Sequence, residues 1–385
     1  MNDINSEPQF PLELLEKTVK ARQQYFKNKV VAHRSIISAH TMLMSTLNHA
    51  IDGQIVMVIG APGVGKTTVR KAMVRDITTH FLAQPDRDPG HIPVAGIELE
   101  AFQGGVFKWK RTRQAVLKAL YEPLVDKKVR YSTRRGQDRH GTLDITTRLS
   151  ADDLGEILVG VLANRKPHAL WFDEGQHLIK VSGAKGLLDQ LDVIKSLANR
   201  SEVTPVLFGT YEMNVLLGLS PQLDRRIRRI HIPRYKASQP DDVLEFQRVL
   251  LGFQKHLPFP VEPNLVEQWA YFFEGSLGCI GILKDWLYQA SGAAFEREEK
   301  TLTCGMCEAW MQERDVLVDM FHRVLPGETQ FERKHSQIEL RALLGLPYED
   351  LEPLTVVPNP VPVRRSQRPG TRNPVRDQVG DHADS

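Results

Sequence analysis

A run of nine residues carries the strongest chemical signal in the sequence. Its letters, Gly60-Ala61-Pro62-Gly63-Val64-Gly65-Lys66-Thr67-Thr68, fit the spacing G-x-x-x-x-G-K-[ST] of a loop that binds phosphate groups. Glycines let backbone N–H groups turn toward phosphate oxygens, and the N-terminus of a following helix adds a favourable dipole. In such a loop Lys66 reaches the β- and γ-phosphates, and the Thr67 hydroxyl ligates Mg²⁺. The alternative is a glycine-rich turn that binds nothing.

Two carboxylates end a later apolar run, Ala169-Leu170-Trp171-Phe172-Asp173-Glu174. When it follows a phosphate loop in the sequence, such a pair is typical of ATP hydrolysis: Asp173 would hold Mg²⁺ and Glu174 would polarise the attacking water. A strand that merely ends in solvated acids is the alternative. Thr210 follows another apolar run and is placed to lie beside the γ-phosphate, although Gly209-Thr210 is also ordinary turn chemistry.

Four arginines then stand within five positions, at 225, 226, 228 and 229. An arginine here can cross a subunit interface and stabilise charge on the γ-phosphate of a neighbour. We expect Arg226 to do so, with Arg225 as the second choice. A solvated basic helix end or a patch that contacts phosphate backbones is the alternative.

Short apolar runs predict the strands that position these residues. They cover residues 55–59, 94–99, 169–172, 205–209 and 230–232, separated by helical patterns that include a helix over 67–81. Alternating strands and helices predict an α/β fold with a parallel sheet and helices on both faces. After Pro233 the pattern turns helical over 241–256, 263–274, 280–296 and 304–320, which predicts a small helical domain.

The predicted organisation follows from these patterns. It comprises an N-terminal helical segment (1–50), an α/β core (51–235) with a basic insertion (108–148), a helical lid domain (236–325), a C-terminal extension (326–355) and a Pro/Arg-rich tail (356–385). Five prolines and five arginines in its last 30 residues, with almost no large apolar residue, predict that the tail is disordered.

Composition restricts the class of protein. The chain has 385 residues, 41% of them hydrophobic and 25% charged, which is ordinary globular usage. It lacks an apolar run long enough to span a membrane and a secretory signal pattern at its N-terminus, so we expect a cytoplasmic protein without a membrane partner. Its three cysteines do not form a disulfide framework, and Cys304-Gly305-Met306-Cys307, a lone CxxC, is better explained by helix-start packing than by zinc.

Basic charge is concentrated in one segment although the whole chain has a net charge of only +3. Residues 108–148 contain twelve Lys and Arg against four Asp and Glu, a net +8, and Phe107, Trp109 and Tyr131 lie among them. Such a segment predicts salt-sensitive, largely sequence-independent DNA contact, whereas a solvated loop with core aromatics is the alternative. The predicted DNA-binding residues are Lys108, Lys110, Arg111, Arg113, Lys127, Lys128, Arg130, Arg134 and Arg135.

Together these motifs resemble AAA+ ATPases, with a sensor threonine in VLFGT and a helical lid after the arginines. The segments WFDEGQHL and QLDRRIRRIHIP more specifically resemble the TnsC/TniB family, the ATP-dependent regulators of transposition. The resemblance covers residues 30–290. It implies ATP and Mg²⁺ as cofactors, a homo-oligomeric ring or filament on double-stranded DNA, partnership with a transposase and target-selection proteins, and a nucleoid-associated location.

The lid departs from this family in one place. Cys279 occupies the position in Gly275-Ser276-Leu277-Gly278-Cys279-Ile280-Gly281 where the resemblance implies a nucleotide-sensing arginine. Lys284, one turn further along, is either its substitute or a surface lysine.

Three rival functions stay open. A replication initiator or clamp-loader-like protein would share the fold and the basic insertion. A signalling or defence NTPase would assemble without DNA, and a non-catalytic binding module would not need Glu174.

Overall fold

The computed structural model describes residues 9–101, 107–127, 149–179, 183–217, 221–332 and 337–345. In this described part, five parallel strands form one sheet in the order β2-β3-β4-β1-β5. The strands are β1 (Ile55–Gly60), β2 (Ala95–Glu98), β3 (Ala169–Asp173), β4 (Thr204–Gly209) and β5 (Ile227–Ile232). All four pairings are parallel, so the carboxyl ends of the strands meet at one edge of the sheet.

Helices flank this sheet and continue beyond it. Up to β5 they are α1 (Val19–Asn28), α2 (Arg34–Asn48), α3 (Lys66–Leu82), α4 (Trp109–Ala119), α5 (Ala151–Arg165), α6 (Gly183–Ser201) and α7 (Pro221–Asp224). After β5 they are α8 (Pro240–His256), α9 (Trp269–Ser276), α10 (Ile280–Glu296), α11 (Cys304–Glu308), α12 (Arg314–Glu332) and α13 (Gln337–Leu343). No helix in the described ranges is long and apolar enough to cross a membrane.

The sheet forms the first of two cores. Every residue of β1 is buried, as are nearly all of β4, because helices cover both of these central strands. The α/β architecture, the helix after the phosphate loop and the strand positions agree with the sequence prediction. The last strand differs: β5 begins at Ile227, three residues before the predicted start, and includes Arg228 and Arg229, both exposed. An edge strand tolerates such charged residues because solvent reaches it.

The second core joins the helices after β5. Its buried side chains include Phe246, Phe253, Phe272, Trp286 and Leu287. Phe26 of α1 is fully buried in the same cluster, where its ring lies 5.9 Å from that of Phe253. The N-terminal helix therefore packs on the helical lid, although the two are separated in sequence by the whole α/β core.

Residues 304–332 contain two helices where the sequence pattern predicts one over 304–320. Thr303 caps α11 by accepting a hydrogen bond from the Met306 N–H, and Cys307 is buried in the second core. The helix α12 then runs through residues 325 and 326, where the predicted lid domain ends and the predicted extension begins.

Contacts divide the chain into two units, Met1–Arg333 and Lys334–Ser385. The first contains both cores. In the second, α13 exposes Leu340 and Leu343. The predicted disordered tail lies outside the described residues.

Candidate functional site

The predicted phosphate loop, acidic pair and sensor threonine meet at the carboxyl edge of the sheet. The loop follows β1, Asp173 is the last residue of β3, and Thr210 follows the last residue of β4. Because β4 lies between β1 and β3, Thr210 stands between the loop and the acids. The topology thus brings into one place residues that are separated by 150 positions in the chain.

The lysine of the phosphate loop forms hydrogen bonds with backbone carbonyls of the same loop. The Lys66 amine donates hydrogen bonds to the carbonyls of Gly60 at 3.0 Å and Ala61 at 2.9 Å. Gly63 and Gly65 both have positive φ angles, of 75° and 105°, a conformation that glycine adopts without strain. Burial lowers the pKa of Lys66, while the nearby Glu174 and Asp173 carboxylates oppose that shift. A half-buried ammonium at the N-terminus of α3 suits an anionic ligand.

The acidic pair is held by its own backbone and by Arg70 of α3. Asp173 accepts a hydrogen bond from Arg70 Nε at 2.8 Å through Oδ2, and one from the Glu174 N–H at 3.0 Å through Oδ1. The Arg70 guanidinium also lies over the Trp171 ring, 4.3 Å from its centroid. Glu174 has a φ of 55°, an unusual conformation for a residue with a side chain, and such conformations cluster at functional sites.

Gln176 connects the acidic pair to the sensor threonine. Its side-chain amide donates a hydrogen bond to Glu174 Oε2, and its carbonyl oxygen accepts one from the Thr210 N–H at 3.3 Å. Gln176 is only 7% exposed, so its amide forms hydrogen bonds with these two groups and not with bulk water. Gln176 therefore fixes the Glu174 carboxylate relative to the end of β4.

The lid touches the loop through backbone atoms. The Gly281 N–H, at the start of α10, donates a 2.6 Å hydrogen bond to the Gly63 carbonyl. Ile282 lies against Gly63, since a methyl group added there would be 2.6 Å from its Cγ1. From the N-terminal side, Ile36 of α2 lies against Gly65 in the same way. Two parts of the chain outside the sheet, α2 and the start of α10, thus pack on the loop.

The lid residues singled out in the sequence lie differently. Cys279 is 3% exposed and belongs to the first core. Lys284 donates a hydrogen bond to the Lys27 carbonyl of α1 at 2.8 Å, and burial lowers its pKa. Ile282 packs on Gly63 of the phosphate loop, and Cys279 lines a small cleft with Ala61 and Pro62 of the same loop.

Arg226 lies at the opposite edge of the sheet from the loop of its own chain. The Arg226 carbonyl accepts a hydrogen bond from the N–H of Ile55, the first residue of β1, at 3.0 Å. β1 has six residues, the last of which begins the loop, and such a strand is about 20 Å long at the usual rise. Arg226 also donates a hydrogen bond to Asn199, and Arg225 is exposed. Neither arginine can act on its own loop in this arrangement.

The predicted DNA-binding residues fall into three groups. Lys108, Lys110 and Arg111 are exposed at the start of α4. Arg113 is half-buried, donates to the Ala151 carbonyl and lies 3.5 Å from Asp152. Lys127 belongs to the short 3-10 helix Val125–Lys127, and Lys128, Arg130, Arg134 and Arg135 lie outside the described residues.

Two of the three aromatic residues beside these charges, Phe107 and Trp109, pack in or against the core of the sheet. Phe107 is 6% exposed and packs edge-on against Trp109 at 4.9 Å. Trp109 donates its indole N–H to Gln190. For these two residues the alternative of core packing is correct. Tyr131 lies outside the described residues.

The site fits a nucleotide with Mg²⁺. Thr210 Oγ1 is buried and has no hydrogen-bond partner within the described ranges, as expected of a hydroxyl that awaits a ligand. Thr67 and Asp173 supply a hydroxyl and a carboxylate, oxygen donors of the kind that Mg²⁺ prefers.

Sequence patterns did not reveal four contributors to the site. They are Arg70, Gln176, Ile36 and Gly281. Two of these had a signal, because Gln176 stands two residues after Glu174 in the quoted WFDEGQHL segment and Gly281 ends the quoted lid segment. Arg70 and Ile36 had none, because their contacts with Asp173 and Gly65 depend on tertiary packing.

Comparisons with known proteins found one domain family and several solved structures that are similar to this chain. Residues 50–217 match the AAA domain family. The ORC1 protein of Aeropyrum pernix, solved in complex with DNA, superposes with a TM-score of 0.51 at 17% identity, over 75% of this chain and 68% of that one. Drosophila ORC bound to DNA aligns at 12% identity with a TM-score of 0.46, over 90% of this chain and 77% of that one. No curated protein matches the chain. At these identities the ORC1 likeness shows the fold.

Proposed function

We propose that this protein, a P-loop AAA+ fold with its AAA domain at residues 50–217, hydrolyses ATP with Mg²⁺ and couples the nucleotide to binding of double-stranded DNA. The observation that carries the proposal is the convergence of the phosphate loop, Asp173, Glu174 and Thr210 at one edge of the sheet.

Each residue of the site has a role in this proposal. The backbone N–H groups of residues 60–68 and the Lys66 ammonium bind the phosphates, and Thr67 and Asp173 hold the metal. Bound Mg²⁺ would neutralise part of the negative charge on the phosphates. Glu174 accepts a proton from, or orients, the attacking water. Gln176 keeps the Glu174 carboxylate in place, and the Thr210 hydroxyl donates to the γ-phosphate or the water.

Arg226 supports an assembly of several copies. It lies about one strand length from the loop of its own chain, so Arg226 can stabilise γ-phosphate charge only at the loop of a neighbour. We therefore propose a homo-oligomeric ring or filament in which Arg226, or Arg225, completes the site of the next subunit.

DNA binding is supported by three exposed basic residues, Lys108, Lys110 and Arg111, at the start of α4. They follow β2, whose last residues are in register with the end of β3, so α4 begins near the nucleotide edge of the sheet. The ORC1 protein with the same fold was solved with DNA. A replication-initiator-like role is the version of the proposal that the fold favours.

A role in transposition rests on the sequence alone. The segments WFDEGQHL and QLDRRIRRIHIP resemble regulators that recruit a transposase to a selected target, and this finer proposal adds a transposase and target-selection proteins as partners. Strand-transfer assays with a partner transposase would test the transposition role. An initiator would not stimulate strand transfer in such assays.

The decisive experiment measures ATP hydrolysis and duplex binding by the same protein. We expect duplex DNA to stimulate hydrolysis, and Glu174→Gln to retain ATP binding while losing about 100-fold or more in turnover. Lys66→Ala should lose binding. Replacing Lys108, Lys110 and Arg111 with alanine should reduce the slope of log K against log salt by about 3, because each phosphate contact contributes close to one.

A matched control removes three exposed lysines elsewhere, Lys17, Lys20 and Lys300, and should leave the salt slope unchanged. Unstimulated hydrolysis together with no duplex binding at low salt would reject the DNA role and favour a signalling-type NTPase. Unchanged turnover in Glu174→Gln would reject the assigned chemistry.

A further inference from the structure

The helix α12 returns from the lid to the α/β core. Phe331 stacks on His231 of β5, with ring centroids 4.6 Å apart and an interplanar angle of 11°. His231 is in turn hydrogen-bonded to the Tyr211 hydroxyl at 2.7 Å. Gly327 packs directly on Tyr211, because a methyl group at Gly327 would lie 2.3 Å from that side chain. Tyr211 directly follows Thr210, so the helix rests beside the predicted γ-phosphate sensor.

The same helix also reaches the phosphate loop. Met320, Phe321 and Val324 line one small cleft together with Ala61 and Pro62. One face of α12 therefore covers the loop, and residues further along the helix cover the end of β4 and the edge strand.

A buried ion pair fastens this helix. Arg234 and Glu328 lie 3.0 Å apart, with side chains only 9% and 1% exposed. Arg234 also donates a hydrogen bond to the Leu277 carbonyl of the lid at 3.3 Å, and its guanidinium lies 4.7 Å from the Phe321 ring centroid. A buried pair gives little net stability over an apolar contact of the same size, whereas losing one partner is strongly unfavourable. Such a pair is better suited to switching than to stabilising.

Arg234 lies close to the phosphate loop, because it lines the same small cleft as Cys279, Ala61 and Pro62. Burial raises the pKa of the Cys279 thiol to about 12, and both Arg234 and Lys66 oppose that shift. Arg234 and Lys66 therefore both lie near this sulfur, Arg234 from the ion pair and Lys66 from the phosphate loop. An anionic ligand at the loop would attract both cations.

We propose that α12 is a nucleotide-responsive strap, fastened by Arg234 and Glu328 when the loop holds no γ-phosphate and loosened when the γ-phosphate competes with Glu328 for Arg234. The proposal rests on the proposed function, since it needs ATP at the loop. It gives the C-terminal part of the chain a way to report nucleotide state. By thermodynamic reciprocity, an unfastened strap must also favour ATP over ADP.

The test is hydrogen–deuterium exchange of α12 in the full-length protein, without nucleotide, with ADP and with a slowly hydrolysed ATP analogue. We expect faster exchange over residues 320–332 with the analogue than with ADP. Glu328→Gln should exchange fast in all three states and should bind the analogue about tenfold more tightly relative to ADP, a typical coupling between sites. Asp319→Asn, which removes an exposed carboxylate from the same helix, is the matched control and should behave as the unmodified protein.

If Glu328→Gln fails to fold, Phe331→Ala loosens the helix without leaving a buried charge unpaired, and the same changes are expected. Exchange that is identical with ADP and analogue, while both bind, overturns the strap and leaves the proposed ATPase intact. Absence of nucleotide binding to the unmodified protein overturns both.

Discussion

At the scale of single residues, Gln176 is the least obvious part of the site. It contacts no predicted ligand, yet it holds Glu174 on one side and the Thr210 backbone on the other. Removing it would free a carboxylate whose backbone already has a positive φ, so the orientation of Glu174 would become less defined. Orientation of the attacking water depends on that carboxylate in the proposed mechanism.

We predict that Gln176→Ala lowers the kcat of ATP hydrolysis by about tenfold to 100-fold and leaves the KM for ATP nearly unchanged, because the loss falls on positioning. Steady-state kinetics at constant Mg²⁺ measure both values. Gln176→Glu is informative as a second variant, since a carboxylate there would repel Glu174 and should be at least as slow. A change confined to KM would mean that Gln176 serves nucleotide binding.

Single residues were predictable where the chemistry is local. The loop spans nine consecutive positions and the acids are adjacent, so the sequence pattern alone locates them. Arg70 could not be found in this way. It lies 103 positions before Asp173. Only the fold brings the two within hydrogen-bond distance, because α3 packs on β1 and β4 and β3 lies beside β4.

At the scale of elements, the lid helix α10 approaches the phosphate loop unusually closely. The Gly281 N–H bonds to the Gly63 carbonyl, and a methyl group at Gly281 would lie 2.5 Å from that oxygen. Glycine is normally a poor residue in a helix, so its presence here reflects the need for close contact between two backbones.

We predict that Gly281→Ala lowers the free energy of unfolding by about 1–3 kcal/mol, because the added methyl group forces the lid away from the loop. Gly160→Ala is the matched control. Gly160 is also helical, but a methyl group there meets nothing within 4 Å, so alanine should raise stability by up to about 1 kcal/mol. Denaturant titrations of the three proteins give both differences. Stabilisation by both substitutions would show that the lid does not press on the loop in solution.

Most elements were predictable because their hydrophobic patterns are strong. The helix α10 matches its predicted bounds of 280–296, and the central strands match within a residue or two. The start of β5 was missed because Arg228 and Arg229 do not look like strand residues, yet backbone pairing with β1 extends the strand through them. The gap between α11 and α12 was missed because apolar residues continue across it.

At the scale of the whole molecule, the two halves of the proposed catalytic machinery lie at opposite edges of one sheet. The separation follows from the parallel pairing of β1 with β5, because Arg226 precedes β5 and the loop follows β1. Sequence patterns identify these strands but not which of them are neighbours. The proposed roles of Arg226 and Lys66 can therefore be tested by mixing subunits that each lack one of the two residues.

We predict that Lys66→Ala and Arg226→Ala are each nearly inactive in ATP hydrolysis, but that an equal mixture regains about a quarter of the normal activity, the share of head-to-tail interfaces with one intact loop and one intact arginine. Activity of the mixed, re-equilibrated proteins measures this. Arg248→Ala, which removes an exposed arginine of α8, should be active by itself. If the mixture is no more active than its components, Arg226 does not act between subunits, and the same experiment with Arg225→Ala becomes the relevant one.

The separation of loop and arginine also gives any assembly a direction. A subunit that offers its arginine edge to a neighbour keeps its own loop edge for the next, so a row of subunits has two different ends. At one end of the row a phosphate loop has no neighbouring arginine, and at the other end an arginine has no neighbouring phosphate loop. The two ends can therefore differ in their rate of growth, in the proteins that cap them and in the order of ATP hydrolysis. A filament built this way on DNA would have a polarity along the duplex without contacting any base.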